Sequence, residues 1–128
     1  MNLLLDTQAL LWFVLDDPRL SGRARESIVA TDGLIFVSPA SLWEIAIKVS
    51  LGKLTLTEPY ETLIAEQLAL NAINVLPIEF DDLIEVTRLP FHHRDPFDRL
   101  LVAQAIARGL PIVSRDSVLD DYPIERFW

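Results

Sequence analysis

Four carboxylates in this 128-residue chain stand where strands and helices could bring them together. Asp6 follows directly on the apolar run Leu3-Leu4-Leu5, and Asp116 comes two residues after Ile112-Val113-Ser114. In open parallel α/β sheets, sites form at the carboxyl ends of strands, so these two acids converge if their strands are neighbours. Glu44 sits in a helical stripe with Ala40, Ile47 and Leu51. A carboxylate there is costly unless it is paired or bound to a cation. Asp98 stands in the first turn of a further helix, beside Asp95. Clustered carboxylates repel one another without a counter-ion, and Mg²⁺ and Mn²⁺ prefer oxygen ligands of this kind. A cation held there can lower the pKa of water and stabilise charge on a phosphodiester during in-line attack. The chain has no cysteine and only two histidines, the adjacent His92 and His93, which cannot alone make a zinc site. The pattern points to phosphoryl chemistry and away from zinc hydrolysis and thiol nucleophiles.

Each acid also has a plainer reading. Asp6 suits a helix N-cap and Asp116 a turn. Glu44 has Lys48 at i+4 in the favourable Glu-before-Lys order. Asp95-Pro96-Phe97-Asp98 matches an N-cap, a proline at the first helical position and an acid at the third, all at the positive end of the helix dipole. Capping and cation binding are not exclusive. Asp95 reads first as a cap, with an accessory part in the site left open. Arg94, Arg99 and Arg115 lie near these acids in sequence. They are candidates for phosphate contacts, with charge balance for the acids as the alternative. Arg19, Arg23 and Arg25 read as a solvated face, and His92 and His93 as ordinary loop residues that could stack on a base. Trp12 and Phe13 read as core, with a protein interface as the sharper alternative.

The elements that must position these side chains are short. Asn2 to Leu5 reads as a buried strand and Thr7 to Leu15 as a helix apolar nearly all round, broken by Asp16-Asp17-Pro18. Ser21 caps a polar helix to about Ala30; Leu34 to Val37 is a second strand. Ser38 caps a helix to about Leu51 that stops at Gly52. Thr57 is expected to cap the next helix, to about Asn71, with Pro59 in its first turn. Asn74 to Leu76 is a third strand and Phe80 to Thr87 a short acidic helix. The Asp95 helix runs to Arg108 with Gly109 as its stop; Ile112 to Ser114 and Ile124 to Phe127 are the last strands. Short apolar strands alternating with helices predict a three-layer α/β/α sandwich with a mostly parallel central sheet. Residues 1–128 read as a single domain.

Formal net charge is −8, which taken alone argues against nucleic-acid binding. The location of the charge weakens that objection. Seven acids and no Lys or Arg lie between Leu54 and Thr87, a stretch read as solvated surface. Asp6, Glu44, Asp95, Asp98 and Asp116 belong to the site or its rim, where a divalent ion would cancel much of the charge. The apolar N-terminus has no preceding Lys or Arg and is a poor signal peptide. No apolar run approaches the roughly 20 residues needed to span a bilayer. A reducing, cytoplasmic setting is compatible with the lack of cysteine.

Leu3-Leu4-Leu5-Asp6-Thr7, Ser41-Leu42-Trp43-Glu44-Ile45, Asp98-Arg99-Leu100-Leu101-Val102-Ala103-Gln104-Ala105 and Val113-Ser114-Arg115-Asp116 together resemble a PIN-domain nuclease of the VapC toxin type. None of the four motifs is very specific alone; all four in family order are, and the resemblance spans essentially the whole chain to Phe127-Trp128. It implies a PIN-like α/β/α sandwich and Mg²⁺- or Mn²⁺-dependent endoribonuclease activity. A homodimer is implied too, as is a cognate antitoxin that inhibits by occupying the site. Asp6, Glu44 and Asp98 match the three core acids and Asp116 the fourth, while Asp95 belongs to the His-x-Asp-Pro-Phe-Asp-Arg variant of one branch. On this reading Asp6 and Asp98 are direct ligands, and Asp116 is a ligand or acts through water. Glu44 holds a water at the metal or orients the nucleophile. Arg94, Arg99 and Arg115 would then meet RNA.

Three rivals compete. An aspartate-nucleophile phosphatase would carry a second Asp two positions after the first, where Gln8 stands. A phosphoryl-accepting receiver would carry a lysine after its last core strand, where Arg115-Asp116 stands. The third is a non-catalytic dimeric scaffold or partner-binding module whose acids only cap helices.

Overall fold

A computed structural model describes residues 1–128. Five parallel strands, β1 (Leu3–Leu5), β2 (Ile35–Val37), β3 (Ile73–Val75), β4 (Ile112–Val113) and β5 (Arg126–Phe127), form one sheet in the order β3-β2-β1-β4-β5. Six helices connect and cover it: α1 (Thr7–Val14), α2 (Gly22–Ala30), α3 (Pro39–Ser50), α4 (Tyr60–Leu70), α5 (Phe80–Arg88) and α6 (Pro96–Arg108). A short 3₁₀ turn, Ser117–Asp121, was not evident in the sequence.

The central strand shows why the sandwich forms. Leu3, Leu4 and Leu5 are all fully buried, as a parallel strand covered on both faces requires. Leu3 and Leu5 pack with Ala9, Leu10, Trp12, Ile28 and Val37, whereas Leu4 packs on the other face with Val102, Ala105 and Ile112. The period of two thus sends alternate leucines into two separate cores. The edge strands β3 and β5 are only partly covered. Trp12 belongs to the core, with its ring 5.8 Å from that of Trp128.

Helix starts follow proline and the small polar caps. Ser21 accepts from Ala24 N–H, Ser38 from Ala40 N–H, and Asp95 from Phe97 N–H and Asp98 N–H. Ser38 and Asp95 each precede a proline, which holds the residue before it in the extended conformation an N-cap needs. The same rule overturns the expectation for Thr57. Pro59 keeps Glu58 from entering the helix, so α4 begins only at Tyr60, with Pro59 in the cap position and no side-chain cap. At the other end of α6, Gly109 takes φ +64° and Leu110 N–H returns to Ala105 O at 2.9 Å, the Schellman pattern.

Most of the acids between Leu54 and Thr87 are exposed, but Asp82 is an exception. It is fully buried, accepts Glu79 N–H at 2.8 Å and pairs with Arg108 at 2.9 Å. Arg19 and Arg25 pair with Asp17 and Asp16 and so balance local charge. No helix is long and apolar enough to cross a membrane.

Candidate metal centre

The chain runs outward from β1 to β2 and β3, then returns to place β4 on the other flank of β1. The order therefore reverses between β1 and β4, and the crevice at the carboxyl ends of strands at such a reversal is where α/β folds carry their sites. Leu5 pairs with Val113, and Asp6 N–H donates to Val113 O at 3.2 Å. Asp6 and Asp116 leave these two adjacent strands, so the adjacency that the sequence left open is met.

Two further ties bring in the helices. Thr7 Oγ1 donates to Ser41 Oγ at 2.9 Å in a buried contact, joining α1 to α3 one turn before Glu44. Trp43 and Phe97 meet edge to face at 5.3 Å, joining α3 to the first turn of α6. Their sequence neighbours are Glu44 and Asp98. A small cavity of about 40 Å³ results, lined by Asp6, Asp98, Ser114 and Asp116 over Leu101, Ile112 and Leu119. That volume holds roughly three water-sized particles. Larger clefts of about 160 to 410 Å³ lie elsewhere, and none of them gathers more than one acidic side chain, Asp32 in one and Glu125 in another. Its three carboxylates, rather than its size, make the small cavity the candidate site.

The acids feel one another. Burial, first of all, raises the pKa of Asp6, and the charges of Asp116 and Glu44 raise it further, while the Ser114 hydroxyl and Ala9 N–H pull it down. Asp98 is pushed up to about 6, chiefly by burial, then by Asp95, Glu44 and Asp116, against a lowering by His93. Each of Asp6, Asp98, Glu44 and Asp116 thus lies within electrostatic reach of others in the set. All four offer hard oxygen, the donor type that suits Mg²⁺ and Mn²⁺, and the raised pKa of Asp6 and Asp98 is what a positive charge beside them would lower. The donor set fits such an ion.

No three Asp, Glu or His side chains are posed as a ready coordination group. Asp6, Glu44, Asp95 and Asp116 are each engaged within the chain instead. Asp6 Oδ1 takes Ala9 N–H at 2.7 Å and caps α1. Glu44 pairs with Lys48 at 3.2 Å. Asp116 Oδ1 takes Val118 N–H at 3.0 Å, and its Oδ2 meets His93 Nε2 at 2.6 Å. Asp95 Oδ1 is committed to capping α6. The plainer reading of each acid therefore holds locally, and in Asp6 and Asp95 it uses one carboxylate oxygen of two.

The flanking cations separate into two kinds. Arg94 and Arg115 are exposed and form no ion pair within the chain. Arg99 is different, and the expectation that it could meet phosphate is corrected. It is 7% exposed, and its guanidinium donates to the carbonyls of Val86, Leu89, Pro90 and His93 while lying 4.0 Å from the Phe91 ring. It clamps the chain leading into α6 and has no face left for a substrate.

Four contributors were missed in sequence. Thr7, Ser41 and Ser114 are hydroxyls whose partners lie in other elements, though Thr7 and Ser114 flank predicted acids and could have been suspected. His93 reads from sequence as an ordinary loop residue, yet its side chain is 9% exposed and touches Asp116.

Comparison with known proteins adds the family. The profile of the PIN domain matches residues 3–125. No curated protein matches the chain in sequence. Among solved structures it resembles VapBC2 from Rickettsia felis bound to a DNA fragment from their promoter (TM-score 0.74, 15% identity, 100% of each chain covered). It also resembles DNA-bound VapBC from Salmonella typhimurium (TM-score 0.69, 18% identity, 98% of this chain and 96% of the other). A third is a toxin–antitoxin complex from Klebsiella pneumoniae (TM-score 0.61, 18% identity, 89% and 86%). At such identities the likeness is one of fold.

Proposed function

The chain belongs to the PIN domain family, and from that premise we propose that it is a divalent-metal-dependent endoribonuclease acting as the toxin of a toxin–antitoxin pair. The observation that supports this most is the meeting of Asp6, Asp98 and Asp116 around one cavity at the reversal point of the sheet, with Glu44 outside its lining but close enough for its charge to act on Asp6 and Asp98. Asp6 and Asp98, with Asp116, would hold Mg²⁺ or Mn²⁺. When bound, such an ion supplies a Lewis acid for phosphodiester hydrolysis. Glu44, partly buried beside Asp6 and Asp98, would orient the attacking water. The α6 N-terminus adds the positive end of its dipole to the same crevice. Exposed Arg94 and Arg115 would meet RNA phosphates at the rim.

The toxin assignment draws on fold likeness to structures solved as VapBC and toxin–antitoxin complexes. A cognate antitoxin occupying the crevice, a homodimer and a cytoplasmic location belong to the same reading. The scaffold reading has one observation in its favour, since Asp6, Asp95 and Asp116 each cap a helix or helical turn. Capping alone does not explain why capping acids and Glu44 crowd together at a cost in ionisation.

The test is cleavage of total RNA by the purified protein. Cleavage is expected with Mn²⁺, is lost with EDTA and returns with excess Mn²⁺; Asp6→Asn abolishes it while the circular dichroism spectrum is unchanged. Cleavage indifferent to EDTA, or wild-type cleavage by Asp6→Asn, would remove the metal site from the mechanism.

A further inference from the structure

His93 is joined to the site by a chain of contacts through Tyr122 and Asp116. Its ring stacks on Tyr122 at 5.6 Å with an interplanar angle of 14°. The Tyr122 hydroxyl accepts His93 N–H at 3.1 Å and lies 3.0 Å from Nδ1, while Nε2 lies 2.6 Å from Asp116 Oδ2. Tyr122 is buried, at 4% exposure. An ionised carboxylate can only accept, so the short contact to Asp116 requires the proton on Nε2. In a neutral ring Nδ1 is then an acceptor, in place to take a bond from the Tyr122 hydroxyl.

From this we propose that His93, held by Tyr122, is a positioning residue that fixes the Asp116 carboxylate for cation binding. Asp116 thereby has one donor on each oxygen, Val118 N–H on Oδ1 and His93 on Oδ2. Rotation of the carboxylate breaks both bonds, whereas a second lone pair on each oxygen stays free. The alternative, that the imidazole merely pins the loop, is met by Arg99, which already binds the Val86, Leu89, Pro90 and His93 carbonyls. Hydrogen-bonded supports of this kind set ligand orientation in metal sites, and their loss costs about 10–100-fold in affinity or activity.

The inference rests on the metal-dependent reading above, and its test separates the two. The Mn²⁺ dissociation constant is measured for wild type, Asp98→Asn, His93→Phe, His93→Gln and Tyr122→Phe, with a thermal melt for each. His93→Phe keeps the stack on Tyr122 and removes both nitrogens; it is expected to weaken Mn²⁺ binding by about 10–100-fold. His93→Gln, with an amide donor at its end, recovers most of that loss. Tyr122→Phe deletes a single oxygen and gives a smaller loss in the same direction, so the proposal stays testable if His93→Phe does not fold. In the metal-free protein, ¹⁵N–¹H correlation spectra are expected to show a proton on Nε2 of His93. The proposal is overturned if His93→Phe binds Mn²⁺ within twofold of wild type while Asp98→Asn does not bind. Equal losses in His93→Phe and His93→Gln, or an Nε2 without a proton, overturn it as well. A wild-type protein that binds no Mn²⁺ sinks the nuclease reading and this one with it.

Discussion

Asp98 carries the clearest sign of what its surroundings demand. Its ordinary carboxylate value is 3.8 and in the fold it is pushed up to about 6. The folded state therefore keeps its proton across that window after the unfolded chain has released it. Stability of the metal-free protein is expected to fall as pH rises from 3.8 towards 6. Asp98→Asn should flatten that fall and, above pH 6, stabilise the metal-free protein. The gain is on the order of 1 kcal/mol once solvent screening of a partly exposed group is allowed for. Urea titrations across this range check it; an Asn variant with an unchanged pH profile would assign the slope elsewhere. All four acids were visible in sequence because each stands at a boundary or in an apolar stripe that needs a reason. His93, Arg99 and Asp82 were not, since their meaning lies in partners that only tertiary contact supplies: Asp116, four carbonyls and Arg108.

Among the elements, the helix starts do double service as chemistry. Asp95 donates nothing to the cavity lining and caps α6 through two N–H groups. Asp95→Ala should cost about 1 kcal/mol, and Asp95→Ser should restore most of it, with only the modest loss of Mn²⁺ affinity that removing one nearby negative charge brings. A large drop in affinity for the Ser variant would make Asp95 more than a cap. Gly109 closes the same helix at φ +64°, where no atom crowds a Cβ. Gly109→Ala is then a pure test of backbone strain, expected to cost about 1 kcal/mol by chemical denaturation. Elements were legible wherever an apolar run met proline, glycine or a small polar cap. The start of α4 was misread because Thr57 looks like a cap, and the steric demand of Pro59 on Glu58 outweighed it. The 3₁₀ turn after Asp116 was missed because one turn leaves no periodicity to detect.

For the molecule as a whole, the decisive feature is strand order. A strand-helix alternation read from the chain predicts a parallel sheet, but not that β4 lies beside β1 rather than at an edge. That placement depends on burying Leu4 against Ile112 and Leu5 beside Val113, contacts separated by more than a hundred residues. It turns separate capping acids into one electrostatically strained cluster. Cation binding should relieve the strain and stabilise the fold. At Mn²⁺ about 100 times its dissociation constant, the gain is roughly 2.7 kcal/mol. It is read as a rise in melting temperature that Asp6→Asn and Asp98→Asn lose. The same claim is met most directly by anomalous diffraction from crystals soaked in Mn²⁺. The account predicts a peak within bonding distance of carboxylate oxygens of Asp6 and Asp98, beside Asp116. Well-diffracting crystals with no peak in that crevice, or with Mn²⁺ only on the acidic surface between Glu58 and Glu85, would contradict it.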